Sequence, residues 1–89
     1  MATSGMTPKE TSSDAAVTLI EASAMVGGRT LAVINEGDVG GWVSADGGVI
    51  WRRLPAGAVR LLQPSNGQPV LLKRDAGGSD VTDVYADVE

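Results

Sequence analysis

From Arg29 onward the chain is cut into short apolar-rich runs by turn-forming residues, and this rhythm constrains the fold more than any other feature. The runs are Arg29-Thr-Leu-Ala-Val-Ile34, Gly41-Trp-Val-Ser44, Val49-Ile-Trp-Arg-Arg-Leu54, Ala58-Val-Arg-Leu-Leu-Gln63, Pro69-Val-Leu-Leu-Lys-Arg74 and Val81-Thr-Asp-Val-Tyr-Ala-Asp-Val88. Between them fall Asn35-Glu-Gly37, Asp46-Gly-Gly48, Pro55-Ala-Gly57, Pro64-Ser-Asn-Gly67 and Ala76-Gly-Gly78. Strand-like runs spaced by roughly 8–12 residues, with turn chemistry between them, predict an all-β fold. The expected architecture is a small antiparallel β-sandwich or barrel, jelly-roll-like, formed by residues 16–89 as one domain.

Alternation within the runs assigns faces. In the last run Thr82, Val84, Ala86 and Val88 share one side, and Asp83, Tyr85, Asp87 and Glu89 the other, as in a strand with one wet face. In 58–63, Val59 and Leu61 point one way and Arg60 the other, which predicts Arg60 outward. Ile50 and Leu54 alternate against Trp51 and Arg53. Asn66-Gly67 is the strongest two-residue hairpin signal, because a type I′ turn needs positive φ at both central positions. Pro55 and Gly57 predict a second turn. The segment 14–25 reads two ways. Its Ala, Leu, Met and Glu content suits a helix capped by Asp14, while β-branched Val17, Thr18 and Ile20 favour a first strand over 17–22. Residues 1–15 are rich in Ser and Thr and predict an extended N-terminal arm, with Met6 as its main apolar contact to a neighbour. Removing residues 2–13 is expected to leave the β body folded.

Composition narrows the function. The chain has no His and no Cys, so the usual nucleophile–base pairs, thiolate metal sites and disulfides are absent. Neither Glu36-Gly-Asp38 nor Asp46-Gly-Gly48 carries the ligand spacing of a calcium loop, and no Gly-Lys-Ser/Thr forms a phosphate loop. A Lys73–Ser pair and the Asp83/Asp87 pair are the remaining catalytic combinations, and both read more simply as solvated strand side chains. The expectation is no enzyme, no cofactor and no metal. A formal charge of −4 argues against general nucleic-acid binding. No apolar run reaches the ~18 residues of a membrane span, so no membrane partner is expected. Phe is absent and Trp42, Trp51 and Tyr85 are the aromatic complement. So light a core predicts a homo-oligomer or docking onto a larger surface.

Charge is segregated along the chain. Arg52, Arg53, Arg60, Lys73 and Arg74 follow one another without an intervening acid, and Asp75, Asp80, Asp83, Asp87 and Glu89 follow without a base. This reads either as an ordinary solvated surface or as a basic edge that meets an acidic neighbour. Trp42 and Trp51 read either as core bulk or as interface anchors, with Arg stacking on the Trp51 indole in the second case. The candidate interaction residues are therefore Trp51, Arg52, Arg53, Arg60, Lys73, Arg74, Trp42 and Met6.

Arg29-Thr-Leu-Ala-Val-Ile-Asn-Glu-Gly37, Val43-Ser-Ala-Asp-Gly-Gly48, Leu54-Pro-Ala-Gly57 and Gln68-Pro-Val-Leu-Leu72 together resemble the small β-domain structural proteins of tailed bacteriophage virions. The shared features are a polar N-terminal arm and short strands with Gly-rich hairpins, over about 60 of the 89 residues. The Trp51-Arg52-Arg53 triple lies outside the shared pattern. The resemblance implies a virion structural protein, made in the host cytoplasm, that decorates or cements the capsid and binds the major capsid protein or another virion protein. The alternative it implies is a receptor- or glycan-binding module of a fibre or tail.

Overall fold

The computed structural model describes residues 11, 15–21, 30–63 and 67–88. They form seven strands: β1 (Val17–Ile20), β2 (Leu31–Asn35), β3 (Gly41–Ser44), β4 (Arg52–Leu54), β5 (Val59–Leu62), β6 (Val70–Arg74) and β7 (Val84–Val88). All strand pairs are antiparallel. They build a four-stranded sheet in the order β1-β6-β3-β4 and a three-stranded sheet in the order β5-β2-β7. The chain is an all-β, two-sheet sandwich with no helix among the described residues.

The core lies between the sheets. Leu31 and Val33 of β2, Val43 of β3, Leu54 of β4, Val70 and Leu72 of β6, and Val84 and Ala86 of β7 are buried there. Each strand supplies every second residue, as the pleat requires. β1 departs from this rule: Leu19 and Ile20 are consecutive and both buried. Its pairing with β6 shifts register between Thr18 and Ile20, and such a bulge turns two successive side chains to one side. Asn35 sits wholly buried at the end of β2. Its Nδ2 donates to the carbonyls of Val39 (2.9 Å) and Leu54 (3.4 Å), and its Oδ1 accepts from the Gly37 N–H (3.0 Å). One satisfied amide thus shapes the β2–β3 connection and ties it to β4.

Segment 17–20 is a strand, while 22–25 lies outside the described residues, so the helix reading fails over its first half. The run 49–54 enters its strand only at Arg52. The Ser44 hydroxyl donates to Asp46 Oδ1 (2.7 Å) and accepts from the Gly48 N–H (2.9 Å), and Asp46 Oδ1 also accepts from the Ile50 N–H (3.0 Å). These bonds hold 45–50 as a loop and leave Ile50 exposed, against the inward position its alternation with Leu54 suggests. The run 81–88 starts its strand at Val84, because Asp83 takes φ +58° and offers its carbonyl to the Glu36 N–H. Val81 and Val84 are both buried on either side of that kink, and the Asp83/Asp87 pair no longer shares a strand face.

The hairpin expected at Asn66-Gly67 does not join paired strands, because β5 and β6 belong to different sheets; Asn66 itself lies outside the described residues. The hairpin that does form joins β3 to β4 across Asp46-Gly-Gly48. The turn at Pro55–Ala58 is present, with the Ala58 N–H on the Pro55 carbonyl (3.1 Å) and Gly57 at φ +75°. It carries the chain from one sheet edge, β4, to the other sheet's edge, β5.

Arg60 is exposed, as expected, but from the other face of its strand: it pairs with Val33, a core residue, so its position lies on the inward-facing side of β5. Val59 and Leu61, expected inside, stand on the outer face at 48% and 72% exposure. Alternation separated the two sets correctly and assigned the sides the wrong way round. An edge strand makes this tolerable, because the long Arg60 side chain escapes the core sideways and its Nε donates to the Arg53 carbonyl of β4 (3.0 Å).

Of the expected arm, residues 1–10 and 12–14, Met6 included, lie outside the described residues. Thr11 is wholly buried against the body. Its N–H donates to the Val81 carbonyl (2.9 Å) and its Oγ1 accepts from the Val81 N–H (3.0 Å).

Candidate interaction surface

The outer face of the four-stranded sheet gathers four of the candidate side chains. Register places Lys73 of β6 and Arg53 of β4 on either side of Trp42 of β3, in one row across the sheet. Residues opposite one another in an antiparallel pair project to the same side, so the row Lys73–Trp42–Arg53 forms a continuous strip. The Arg53 guanidinium lies over the Trp42 ring at 5.2 Å from its centroid. The Lys73 ammonium lies over Trp51 at 4.2 Å. Both tryptophans are half-buried and neither belongs to the core between the sheets. The cation on Trp51 is thus Lys73, twenty-two positions away, rather than its neighbours Arg52 and Arg53.

Asp75 completes the strip. Its Oδ1 accepts from the Trp42 indole N–H and from the Arg53 guanidinium, each at 2.7 Å. The indole bond first, and the Arg53 bond and charge after it, hold the Asp75 carboxyl below its ordinary range. The contacts orient the ring and the guanidinium more than they stabilise the fold, since an ion pair this exposed contributes little. Beside them, Trp42, Trp51, Lys73, Arg74, Asp75 and Ala76 line an open concavity of about 370 Å³.

Of the other cations, Arg74 borders this concavity and two lie on a flank. Arg74 sits at the end of β6 and pairs with Asp80. Arg52 and Arg60, with Arg53, line the flank where edges β4 and β5 meet, beside Leu61, Leu62 and Gln63. The run of five cations therefore divides between the outer sheet face and the β4–β5 flank, with Arg53 at both, and two acids of the following segment turn back onto it. The segregation of charge along the sequence is partly undone in space.

Four exposed aliphatics join these candidates: Val49 (80% exposed) and Ile50 (55%) on the β3–β4 loop, and Val59 and Leu61 on β5. The loop that presents Val49 and Ile50 is held by Asp46, whose carboxyl is lowered by its bonds from the Ile50 amide and the Ser44 hydroxyl. Val59 and Leu61 carried no sequence signal of exposure, and Asp75 gave none of its bond to Trp42, which spans 33 positions.

For chemistry, the strip offers cations, indole faces and one oriented carboxylate on an open surface. Lys73 is engaged with an indole and the Ser44 hydroxyl with Asp46, so neither is held against the other in the manner of a nucleophile and its base. Among the described residues no three acidic or metal-ligating side chains converge. Comparison of the chain with protein-family models, with curated proteins and with solved structures finds no match.

Proposed function

We propose that this chain is a non-catalytic docking module of a bacteriophage particle, a capsid decoration or cement protein that binds the head shell through the outer face of its four-stranded sheet. The observation that carries the reading is the Lys73–Trp42–Arg53 row with Trp51 beside it. Trp and Arg are the side chains most enriched among interface hot spots, and here they are pre-oriented by Asp75 before any partner arrives. The phage assignment rests on the sequence resemblance; the sandwich of short strands is consistent with it. The partner is the major capsid protein or another virion protein.

The test is co-sedimentation of the purified chain with particles stripped of it. Trp42→Ala combined with Arg53→Ser should reduce occupancy at least about tenfold, as expected for truncating anchor residues. Arg60→Ser, on the flank, should leave occupancy near wild type. Equal occupancy of the Trp42/Arg53 variant and wild type would remove this face from the interface.

A second reading, a glycan-binding module of a fibre or tail, is favoured by the concavity between Trp42 and Trp51 with the Asp75 carboxylate on its wall. Indole faces stack on sugar C–H faces while a carboxylate accepts hydroxyl bonds. Titration with oligosaccharides, followed by tryptophan fluorescence, distinguishes the two: a saturable shift supports the glycan reading and a flat response removes it.

A further inference from the structure

We infer that β5 is a self-association edge: two copies of the chain pair their β5 strands antiparallel, about a two-fold axis at Leu61, and join their three-stranded sheets into one. The inference rests on the β2–β5 ladder and is independent of the docking reading.

The phase of that ladder comes from one bond. The Asn35 N–H donates to the Ala58 carbonyl at 2.9 Å. In an antiparallel pair, residues that exchange bonds with the neighbour alternate with residues that do not. With Val33 opposite Arg60 and Leu31 opposite Leu62, those pairs exchange bonds. Val59 and Leu61 consequently direct N–H and C=O away from β2. Among the described residues β5 is the last strand of its sheet, so these groups line a free edge.

Free edges are usually guarded by Lys, Pro, a bulge or a covering segment. On β4 the Arg53 carbonyl is covered by Arg60. β1 and β7 lie against each other at the opposite flank. On β5 the one charged residue, Arg60, is turned across to β4. Its register with β2 is regular, and Val59 and Leu61 are exposed aliphatics on the outer face. An edge that no described residue guards, with an apolar row beside it, is a surface built to be paired.

The occupant is a second copy because the edge is complementary to itself. A two-fold axis at Leu61 sets Leu61 opposite Leu61 of the partner subunit. Val59 then lies opposite Gln63 of the partner subunit, and Arg60 opposite Leu62 of the partner subunit. The outward groups of Val59, Leu61 and Gln63 all find mates, and no two cations face each other. An axis at Arg60 would oppose two guanidinium groups directly, an arrangement that like charge disfavours. Such a contact is isologous and closes at two copies.

The full chain is tested by sedimentation equilibrium. Wild type should show a concentration-dependent dimer. Leu61→Pro deletes an N–H that β2 does not use, so the strand circular dichroism should persist while the dimer is lost. Leu61→Lys places two cations at the axis and should weaken the dimer at least about tenfold even if the proline variant fails to fold. The chain has no cysteine, so Leu61→Cys introduces a single thiol. Facing Cα atoms about 5.5 Å apart lie within disulfide range, and mild oxidation should yield a covalent dimer. Arg60→Cys should not cross-link comparably. A wild type monomeric throughout, a dimer unaffected by Leu61→Lys, or cross-linking as ready through Arg60→Cys would each overturn the proposal.

Discussion

Trp42 and Asp75, 33 positions apart, are joined by an indole N–H to carboxylate bond of 2.7 Å on the outer face of the four-stranded sheet. Because that bond is the first cause of the lowered Asp75 carboxyl, it has a direct readout. Trp42→Phe should move the Asp75 titration up toward the ordinary carboxylate range, measured on the carboxyl carbon by NMR. The folded-state value is depressed, so whatever Asp75 contributes to stability is present above the unfolded carboxylate range. It is lost as pH falls through the folded value. Coincident titrations in wild type and variant would show that the indole does not hold this charge.

Thr11 and Val81 exchange two bonds, and one depends on the Thr11 hydroxyl. Thr11→Val leaves the Val81 N–H buried without that acceptor and should cost about 1–3 kcal/mol in urea unfolding, whereas Thr11→Ser should stay near wild type. Deleting residues 2–13 should lower stability by at least as much. The body is still expected to fold without them, at this lower stability.

Asn35 satisfies three backbone groups from a wholly buried position. Asn35→Ala should destabilise by about 1–3 kcal/mol, chiefly because the Leu54 carbonyl stays buried without its donor while the Val39 and Gly37 groups are only partly buried. Hydrogen exchange should quicken at the Gly37 amide, and an unchanged unfolding midpoint would contradict this account.

Gly41 opens β3 where the chain is closely overlaid. A Cβ there would stand 2.8 Å from both the Lys73 carbonyl oxygen and Val81 Cγ2. The carbonyl belongs to the paired strand and cannot move alone, so Gly41→Ala should cost about 1–3 kcal/mol in thermal or urea unfolding. Gly57→Ala tests a different cause: nothing crowds that position, and the cost comes from its φ of +75° alone.

How much was legible in the sequence differs from residue to residue. β3 was read with its bounds intact, and β2, β5 and β6 to within two residues at either end. In each the apolar run and its flanking Gly, Pro or Asn are local properties of the backbone. Trp51 was placed correctly on the side away from Leu54. Ile50 was misplaced because Ser44 and Asp46 capture the amides of Gly48 and Ile50, and a side chain four positions upstream leaves no mark on alternation. The strip itself was half legible. Its tryptophans and cations were named, but the charge run suggested one band where the structure divides it between a sheet face and a flank.

The sequence by itself determined that this chain is a layered assembly of short antiparallel strands, because turn residues and period-two alternation act on each segment without reference to the others. Tertiary structure alone decided which side of each segment is the inside. Alternation is unchanged when the two faces are exchanged, so Val59, Arg60 and Leu61 read equally well either way until β2 sets the register. It also decided strand order, and with it the partners of Trp42, Trp51 and Thr11. Those contacts join positions that only pairing across the sheets brings together, and no local preference of the chain encodes them.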